Sequence, residues 1–546
     1  MHAPASLLDA LYDHARAGRE DAAFEFLTAR RTVRERLSFT ELCAASQSLA
    51  DELHGLVGPG NAVPLVFAPG LSFIVALLAC WQLRAAAVPL APELLRRDPR
   101  ASRELLDPLN APCVLCDDST AQLAQDAPSA PWHRLGPLRT TAAYAAPPSL
   151  DPDSTALVQY TSGSTGTPRA VAISHANLMA NMEMIRTAFG HGPHSTVVGW
   201  APLYHDQGLI GNVLQPLFLG ARCALIAPQT FVRDPLLWPQ LVSDYRAHTS
   251  GGPNFAYDLC VARFRREKLA DVDLSGWKVA FNGAEPIRPA SVARFCECFA
   301  PLGFDAQSMF PCYGLAEATL FVSGGPGRRA TRIAMGQERP RVGCGRAAPA
   351  SRIRIVNPRS MRTCGPYEIG EIWVAGPHVA RSYWLDAEAT RTRLRARLPG
   401  DDHDYLRSGD LGFLDDTGEL FPAGRLKEVI IQHGRNFSPH DIESTVAAAS
   451  DQLDPVRGVV FGVEIEGRER VIAVQELRRE ARAKVAEDEV VRSIRRRVNA
   501  VHGLVLDQVL LVRPHTLPFT TSGKKQRTKV REAYLAGRLV GDEALV

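Results

Sequence analysis

The sequence predicts an α/β protein of more than one domain: a large N-terminal part with several subdomains, built from parallel-type sheets and helices, and a smaller C-terminal α+β part. Three observations carry this. Strand-like and helix-like runs alternate through roughly the first 300 residues, the rhythm of βαβ units. The 546 residues, 46% hydrophobic and 22% charged, are enough for several cores and too many for one. Past Gly424 the alternation gives way to a shorter mixed segment.

Taken in order, residues 63–67 read as a strand, 73–83 as an apolar helix and 87–90 as the next strand. Val114 and Leu115 suggest another. The Pro- and Ala-rich stretch 127–152 reads as an irregular connector. Strand-like runs at 156–158 and 170–173 then flank a Gly- and hydroxyl-rich loop, so the loop reads as a hairpin connection. Ser174 is placed to cap a helix carrying Leu178, Met182, Ile185 and Phe189, with Gly190 placed to end it. Short strands are expected at 196–200, 223–227, 277–282 and 306–310. Cys296 and Cys298 fall on an expected helix and face different ways. Near the C-terminus a basic helix is expected to bury Val491, Ile494, Val498 and Val501 and to expose Arg492, Arg495 and Arg496.

Composition removes several function classes. With 62 basic and 59 acidic residues the net charge is +3, which implies neither nucleic acid nor an anionic membrane surface as partner. The longest strongly apolar run, 73–80, is far short of a membrane span, and Asp9, Asp13 and His14 interrupt any signal-peptide pattern. A cytoplasmic enzyme is expected. Eleven scattered cysteines suit a reducing compartment, and the one Cys113/Cys116 pair lacks partners at zinc spacing.

The loop Tyr160-Thr161-Ser162-Gly163-Ser164-Thr165-Gly166-Thr167-Pro168-Arg169 suits a polyphosphate. Gly163 and Gly166 permit close backbone approach and positive φ, and the hydroxyls offer donors to phosphate oxygens. Walker A spacing is absent, and taken alone the cluster also suits an ordinary connector. The segment 199–209 follows a strand and brings an aromatic, His205 and a carboxylate to a helix start. Residues 282–286 and 311–319 each follow a strand-like run, and strand-end loops are where α/β sheets hold ligands. A hard cation wants a carboxylate such as Glu317, and a planar base wants an aromatic or peptide face such as Tyr313. Asp410 can accept two hydrogen bonds from a ribose diol, and Arg425 can serve the same sugar or a phosphate. Lys524 sits on a Gly-containing loop. Read singly, each of these is also a core residue, a cap or a solvated charge.

In this order the motifs resemble the adenylate-forming superfamily, which includes acyl-CoA synthetases, luciferases, peptide-synthetase adenylation domains and fatty acyl-AMP ligases. The segments 252–259, 203–206, 311–320 and 434–436 are most like the fatty acyl-AMP ligases. The resemblance implies ATP and Mg2+ as cofactors. It implies that Thr161, Ser162, Gly163, Ser164, Thr165, Gly166 and Thr167 cradle phosphate. It puts Ala284, Glu285, Pro286, Tyr313 and Gly314 on adenine and Glu317 on magnesium, beside Asp410 on ribose and Arg425 on the same sugar or a phosphate. His205 would approach the reacting carboxylate or phosphate. Lys427 would be the hinge between an N-terminal domain, 1–426, and a mobile C-terminal domain, 427–546, whose Lys524 swings over the phosphate loop; Lys525 is its neighbour.

The implied reaction joins a fatty or related carboxylic acid to AMP, releases pyrophosphate, and passes the acyl group to the phosphopantetheine thiol of an acyl carrier protein in trans, with CoA as the alternative acceptor. A non-catalytic nucleotide-binding scaffold is the alternative from another class. Departures from the pattern are the short basic stretch 325–341 where that branch carries an insertion thought to disfavour CoA, Arg169-Ala170 in place of Lys-Gly, and Gln207 where the branch often has Met.

Overall fold

The computed structural model describes residues 4–18, 23–97, 99–125, 127, 130–141, 143–161, 169–325, 333–335, 340–432, 435–465, 468–479, 487–519 and 525–539. The chain divides into two compact units, Met1–Ser408 with Phe413–Phe421, and Gly409–Gly412 with Pro422–Val546.

The larger unit contains two large sheets. The first has seven strands, in the order Ser382–Tyr383, Arg169–Ser174, Thr155–Thr161, Ala86–Pro89, Ala62–Val66, Val114–Cys116 and Trp132–Arg134. Its middle is parallel, and the helix Ser72–Gln82 is the crossover between Ala62–Val66 and Ala86–Pro89. That helix has no polar face, so it is buried all round; every residue from Phe73 to Gln82 is in the core. Trp81 Nε1 donates to the Ala156 carbonyl at 3.0 Å and ties the helix to the neighbouring strand.

Thr155–Thr161 and Arg169–Ser174 pair antiparallel, with Thr161 opposite Arg169, so the expected hairpin is present. Ser174 caps the helix His175–Phe189 through a reciprocal box with Asn177, the side chains of Leu178, Met182 and Ile185 are buried, and Gly190 ends it at φ 63°.

The second sheet has nine strands, in the order Arg346–Ala347, Phe321–Gly324, Met309–Gly314, Val279–Asn282, Thr249–Gly252, Val197–Gly199, Cys223–Ile226, Phe24–Leu27 and Val33–Leu37. The six strands from Met309–Gly314 to Phe24–Leu27 are parallel. An aromatic core of Trp200, Phe231, Trp238, Tyr257, Trp277, Phe295 and Phe299 packs among these strands and the helices between them. Trp238 Nε1 donates from this core to Ser250 Oγ at 2.7 Å.

The smaller unit is α+β. Strands Leu453–Ile465, Arg468–Leu477 and Gln508–Val512 form its sheet, accompanied by helices Pro439–Ala447, Glu487–His502 and Arg527–Leu535. No helix among the described residues is long and apolar enough to cross a membrane.

Four expectations need correction. Within the stretch 127–152, read as an irregular connector, Trp132–Arg134 is an edge strand of the seven-stranded sheet, paired with Val114–Cys116. The strand placed at 306–310 is Met309–Gly314, because Asp305 accepts from Gln307 N at 2.9 Å and winds residues Ala306–Ser308 into a 3₁₀ turn. The basic helix buries Val490, Ile494, Val498 and His502, while Val501 is exposed; His502 takes the inward place through a 2.9 Å hydrogen bond with Thr445 Oγ1. The helix start at Gln207 is a π-helix, Gln207–Leu214, capped by Asp206. Cys113 and Cys116 flank the strand core as expected, and burial pushes both thiols up to about 11.

Candidate active site

Four neighbouring parallel strands, Val197–Gly199, Thr249–Gly252, Val279–Asn282 and Met309–Gly314, end at one edge of the nine-stranded sheet. The segments that follow them are those singled out by sequence: residues 200–206, 253–258, 283–286 and 315–319. Ligands of open α/β sheets collect at this edge. The backbone there is tightly fitted. A Cβ on Gly252 would lie 2.3 Å from the Trp200 ring, and one on Gly314 would lie 1.7 Å from the Leu320 carbonyl oxygen. Ala284 and Thr319 both stand at φ 65°, left-handed conformations that cost side-chain-bearing residues about 1–3 kcal/mol each. Thr319 is held by donating to the His378 carbonyl at 2.7 Å.

The hairpin reaches two of these segments. Gln159 Nε2 donates to the Tyr204 carbonyl at 2.7 Å, fixing the segment that carries His205. At the hairpin's other strand, the Arg169 guanidinium lies 5.8 Å from the Tyr383 ring centre, and the Tyr383 hydroxyl donates to Glu317 Oε1 at 3.0 Å. Burial, and then the Glu317 charge, push the Tyr383 phenol well up, so it stays a donor. Thr161 Oγ1 donates to the Arg169 carbonyl at 3.3 Å. Residues 162–168, with Ser162, Gly163, Ser164, Thr165, Gly166 and Thr167, lie outside the described residues.

His205 Nδ1 lies 2.5 Å from Asp206 Oδ1, and the same carboxylate oxygen accepts from Gln207 N at 2.7 Å. One carboxylate thus orients the imidazole and caps the following helix. Glu285 Oε1 accepts from Phe255 N at 2.5 Å, at the N-terminus of the helix Asn254–Ala262, where a negative charge is favoured. That carboxylate is therefore engaged by protein, and a base would meet Ala284, Glu285 and Pro286 chiefly through main chain. Tyr313 is buried at the strand end, next to Gly314. A largely apolar cavity of about 250 Å³ opens beside Tyr204, walled by Phe67, Phe73, Leu90, Leu203 and Ile226.

In the smaller unit, Asp410 Oδ1 lies 3.3 Å from Arg425 Nε, so the residue expected on ribose and the one expected on the same sugar or a phosphate are neighbours. Lys427 sits in the 3₁₀ turn Leu426–Glu428. Lys524 lies outside the described residues. Its neighbour Lys525 is an anchor: Nζ donates to Glu443 Oε2 at 2.8 Å and to the Gly458 carbonyl at 2.7 Å. Arg527 pairs with Glu443 at 2.8 Å and with Glu428 of the same turn that holds Lys427.

Sequence reasoning missed Gln159, Tyr383, Glu443 and the role of Arg527. Only Arg527 carried a signal, as a second cation beside the Lys524 loop; the others lie in no motif of their own.

The chain matches the AMP-binding enzyme family over residues 11–384, and residues 427–543 match the AMP domain of the Disco-interacting protein 2-like family. It is 36% identical to the medium-chain-fatty-acid–[acyl-carrier-protein] ligase JamA of Moorena producens, over 99% of this chain and 97% of that protein. It is 35% identical to the long-chain-fatty-acid–AMP ligase FadD26 of Mycobacterium marinum, over 92% and 91%. Among solved structures, a fatty acyl-adenylate ligase from work on the E. coli and L. pneumophila enzymes superposes with a TM-score of 0.85 at 29% identity, covering 98% of this chain and 99% of that one. The L. pneumophila fatty acyl-adenylate ligase in complex with acyl adenylate and pyrophosphate gives 0.75 at 31% identity, covering 97% and 96%.

Proposed function

The chain belongs to the AMP-binding enzyme family, and from that premise we propose that it is a fatty acyl-AMP ligase that feeds an acyl carrier protein. It activates a fatty acid with ATP, forming acyl-AMP and pyrophosphate, and then transfers the acyl group to the phosphopantetheine thiol of the carrier. In the first step a carboxylate oxygen attacks the α-phosphorus and pyrophosphate leaves, chemistry that rests on positioning and charge more than on covalent work by the protein.

The observation that carries the reading is that one hairpin is bonded at Gln159 to the His205 segment and reaches Glu317 through Arg169 and Tyr383. In this reading residues 162–168, predicted from sequence as a phosphate loop, take the triphosphate, with His205 as proton donor and Glu317 as metal-binding carboxylate. Thr161, Ser162, Gly163, Ser164, Thr165, Gly166 and Thr167 bind the phosphates. Ala284, Glu285, Pro286, Tyr313 and Gly314 hold adenine, and Asp410 holds ribose, with Arg425 on the same sugar or a phosphate.

Glu317 suits magnesium, which takes one or two carboxylates together with substrate phosphates, and Tyr383 orients it. His205, oriented by Asp206, donates toward the reacting anions. Lys524 supplies the cation between carboxylate and α-phosphate, and Lys427 is the hinge between domains 1–426 and 427–546. The apolar cavity beside Tyr204 is of the character an alkyl chain needs. The cytoplasm is the proposed compartment, supported by eleven unpaired cysteines.

The test is fatty-acid-dependent ATP/pyrophosphate exchange over acids of increasing length, followed by capture with holo carrier protein or with CoA. Exchange with a subset of acids and transfer to the carrier are expected. Absence of exchange with every acid overturns the reading, and abundant acyl-CoA moves the acceptor to CoA.

A further inference from the structure

In the proposed function the segment 254–258 has no role of its own, yet its polar groups converge on one target. Tyr257 hydroxyl donates to the Phe281 carbonyl at 2.7 Å, just before the loop 282–286. Phe255 N donates to Glu285 inside the loop at 2.5 Å. Beyond the loop, Asn254 Oδ1 accepts from Arg288 N at 3.2 Å and Asn254 Nδ2 donates to Ser291 Oγ at 3.2 Å. Asp258 Oδ2 accepts from Ser291 Oγ at 2.8 Å and pairs with the Arg288 guanidinium, while Oδ1 accepts from Arg294 at 3.0 Å. Asn254 and Ser291 are fully buried.

The loop so bracketed contains Ala284 at φ 65°, a conformation that persists only where its surroundings impose it. A buried polar network with its members satisfied rigidifies what it touches.

We infer that Asn254 and Asp258, acting through Arg288 and Ser291, are positioning residues that clamp the loop 282–286 in the shape that receives the adenine base. The inference rests on the reading in which residues 284–286 and Tyr313 hold adenine. It makes the 254–258 segment a determinant of selectivity for the base. Asp258 touches no substrate; it sets the backbone that does.

The test is steady-state kinetics of the full-length enzyme with ATP and with GTP. Asp258→Asn keeps the shape and removes the charge. It is expected to raise the KM for ATP about tenfold, with a smaller change in kcat and none in the KM for fatty acid. The preference for ATP over GTP should shrink, a change that general loss of stability does not produce, and Asp258→Glu should recover part of it.

Tyr313→Leu probes the underlying reading directly. If Tyr313→Leu raises the KM for ATP and Asp258→Asn leaves both that KM and the base preference unchanged, the clamp is overturned and the adenine site stands. If neither variant alters them, the adenine reading fails and takes the clamp with it. Should Asp258→Asn not fold, Ser291→Ala, which removes one hydroxyl, carries the same expectation with a smaller shift; an unchanged base preference in that variant overturns the clamp.

Discussion

At the strand ends of the nine-stranded sheet, position is set mainly by hydrogen bonds, close backbone approach and left-handed residues at Ala284 and Thr319. In the smaller unit it is set by charge: Glu443, 4% exposed, pairs with Lys525 and Arg527, and Arg527 also pairs with Glu428. Each region is fragile in its own way. The strand-end region is sensitive to volume, because a tightly packed backbone has nowhere to move. The charged corner is sensitive to the loss of a partner and to pH, because a buried charge left alone keeps its desolvation cost.

Disrupting the charged corner should have the greatest consequence. Arg527→Ala leaves Glu443 buried with one cation fewer, and should destabilise the smaller unit by about 3–5 kcal/mol. Hydrogen exchange in peptides from Leu453–Ile465 measures this, and peptides of the nine-stranded sheet should keep their protection. Next comes the strand-end region: Gly314→Ala puts a methyl against the Leu320 carbonyl and should cost about 1–3 kcal/mol while abolishing adenylation. All seven tryptophans lie in the larger unit, so their fluorescence during urea unfolding reports it.

A gentler probe of the same contrast is pH. Burial opposes ionisation of Glu428, but His440 and Arg527 outweigh it and hold its carboxyl at about 2 against an ordinary 4.5. Glu443 is held well below its ordinary value, with Arg527 and Lys525 outweighing burial. Both contribute stability that is present above pH 4.5 and lost as the pH falls through the folded values. His440 is raised above 6.5, because hydrogen bonds to Glu428 and Glu443 outweigh burial, so its contribution is complete below 6.5 and lost as pH climbs through the raised value.

In the larger unit burial lowers His191 to about 3 and His175 and His378 to about 4, so their contribution is present above 6.5 and fades as pH falls toward those values. Between pH 6.5 and 4.5 the two units should therefore respond differently: tryptophan unfolding shifts to lower urea, while exchange protection in the smaller unit holds. Parallel loss in both would contradict the contrast.

Local physics made part of this legible in the sequence. Ser174 and Gly190 marked both ends of one helix, and the runs around residues 162–168 marked a hairpin, because caps and strand periodicity act over a few residues. The order of the motifs pointed to the candidate site. Tyr383 stayed hidden because its partner Glu317 is 66 residues away and no pattern links them. Lys525 was read only as a neighbour of Lys524, because its partner Glu443 comes from a helix 82 residues earlier. The misplaced Val501 shows the limit of periodicity: it finds an apolar stripe, but only packing decides that His502 turns inward instead.

That this chain makes an acyl adenylate, with Lys524 as the cation joining the two anions, is decided by Lys524→Ala in a single-turnover assay with saturating ATP and fatty acid. ATP binding should stay close to that of the unaltered enzyme, while the rate of acyl-AMP formation falls about 10²- to 10³-fold. An unaltered rate of acyl-AMP formation in that variant would contradict the account.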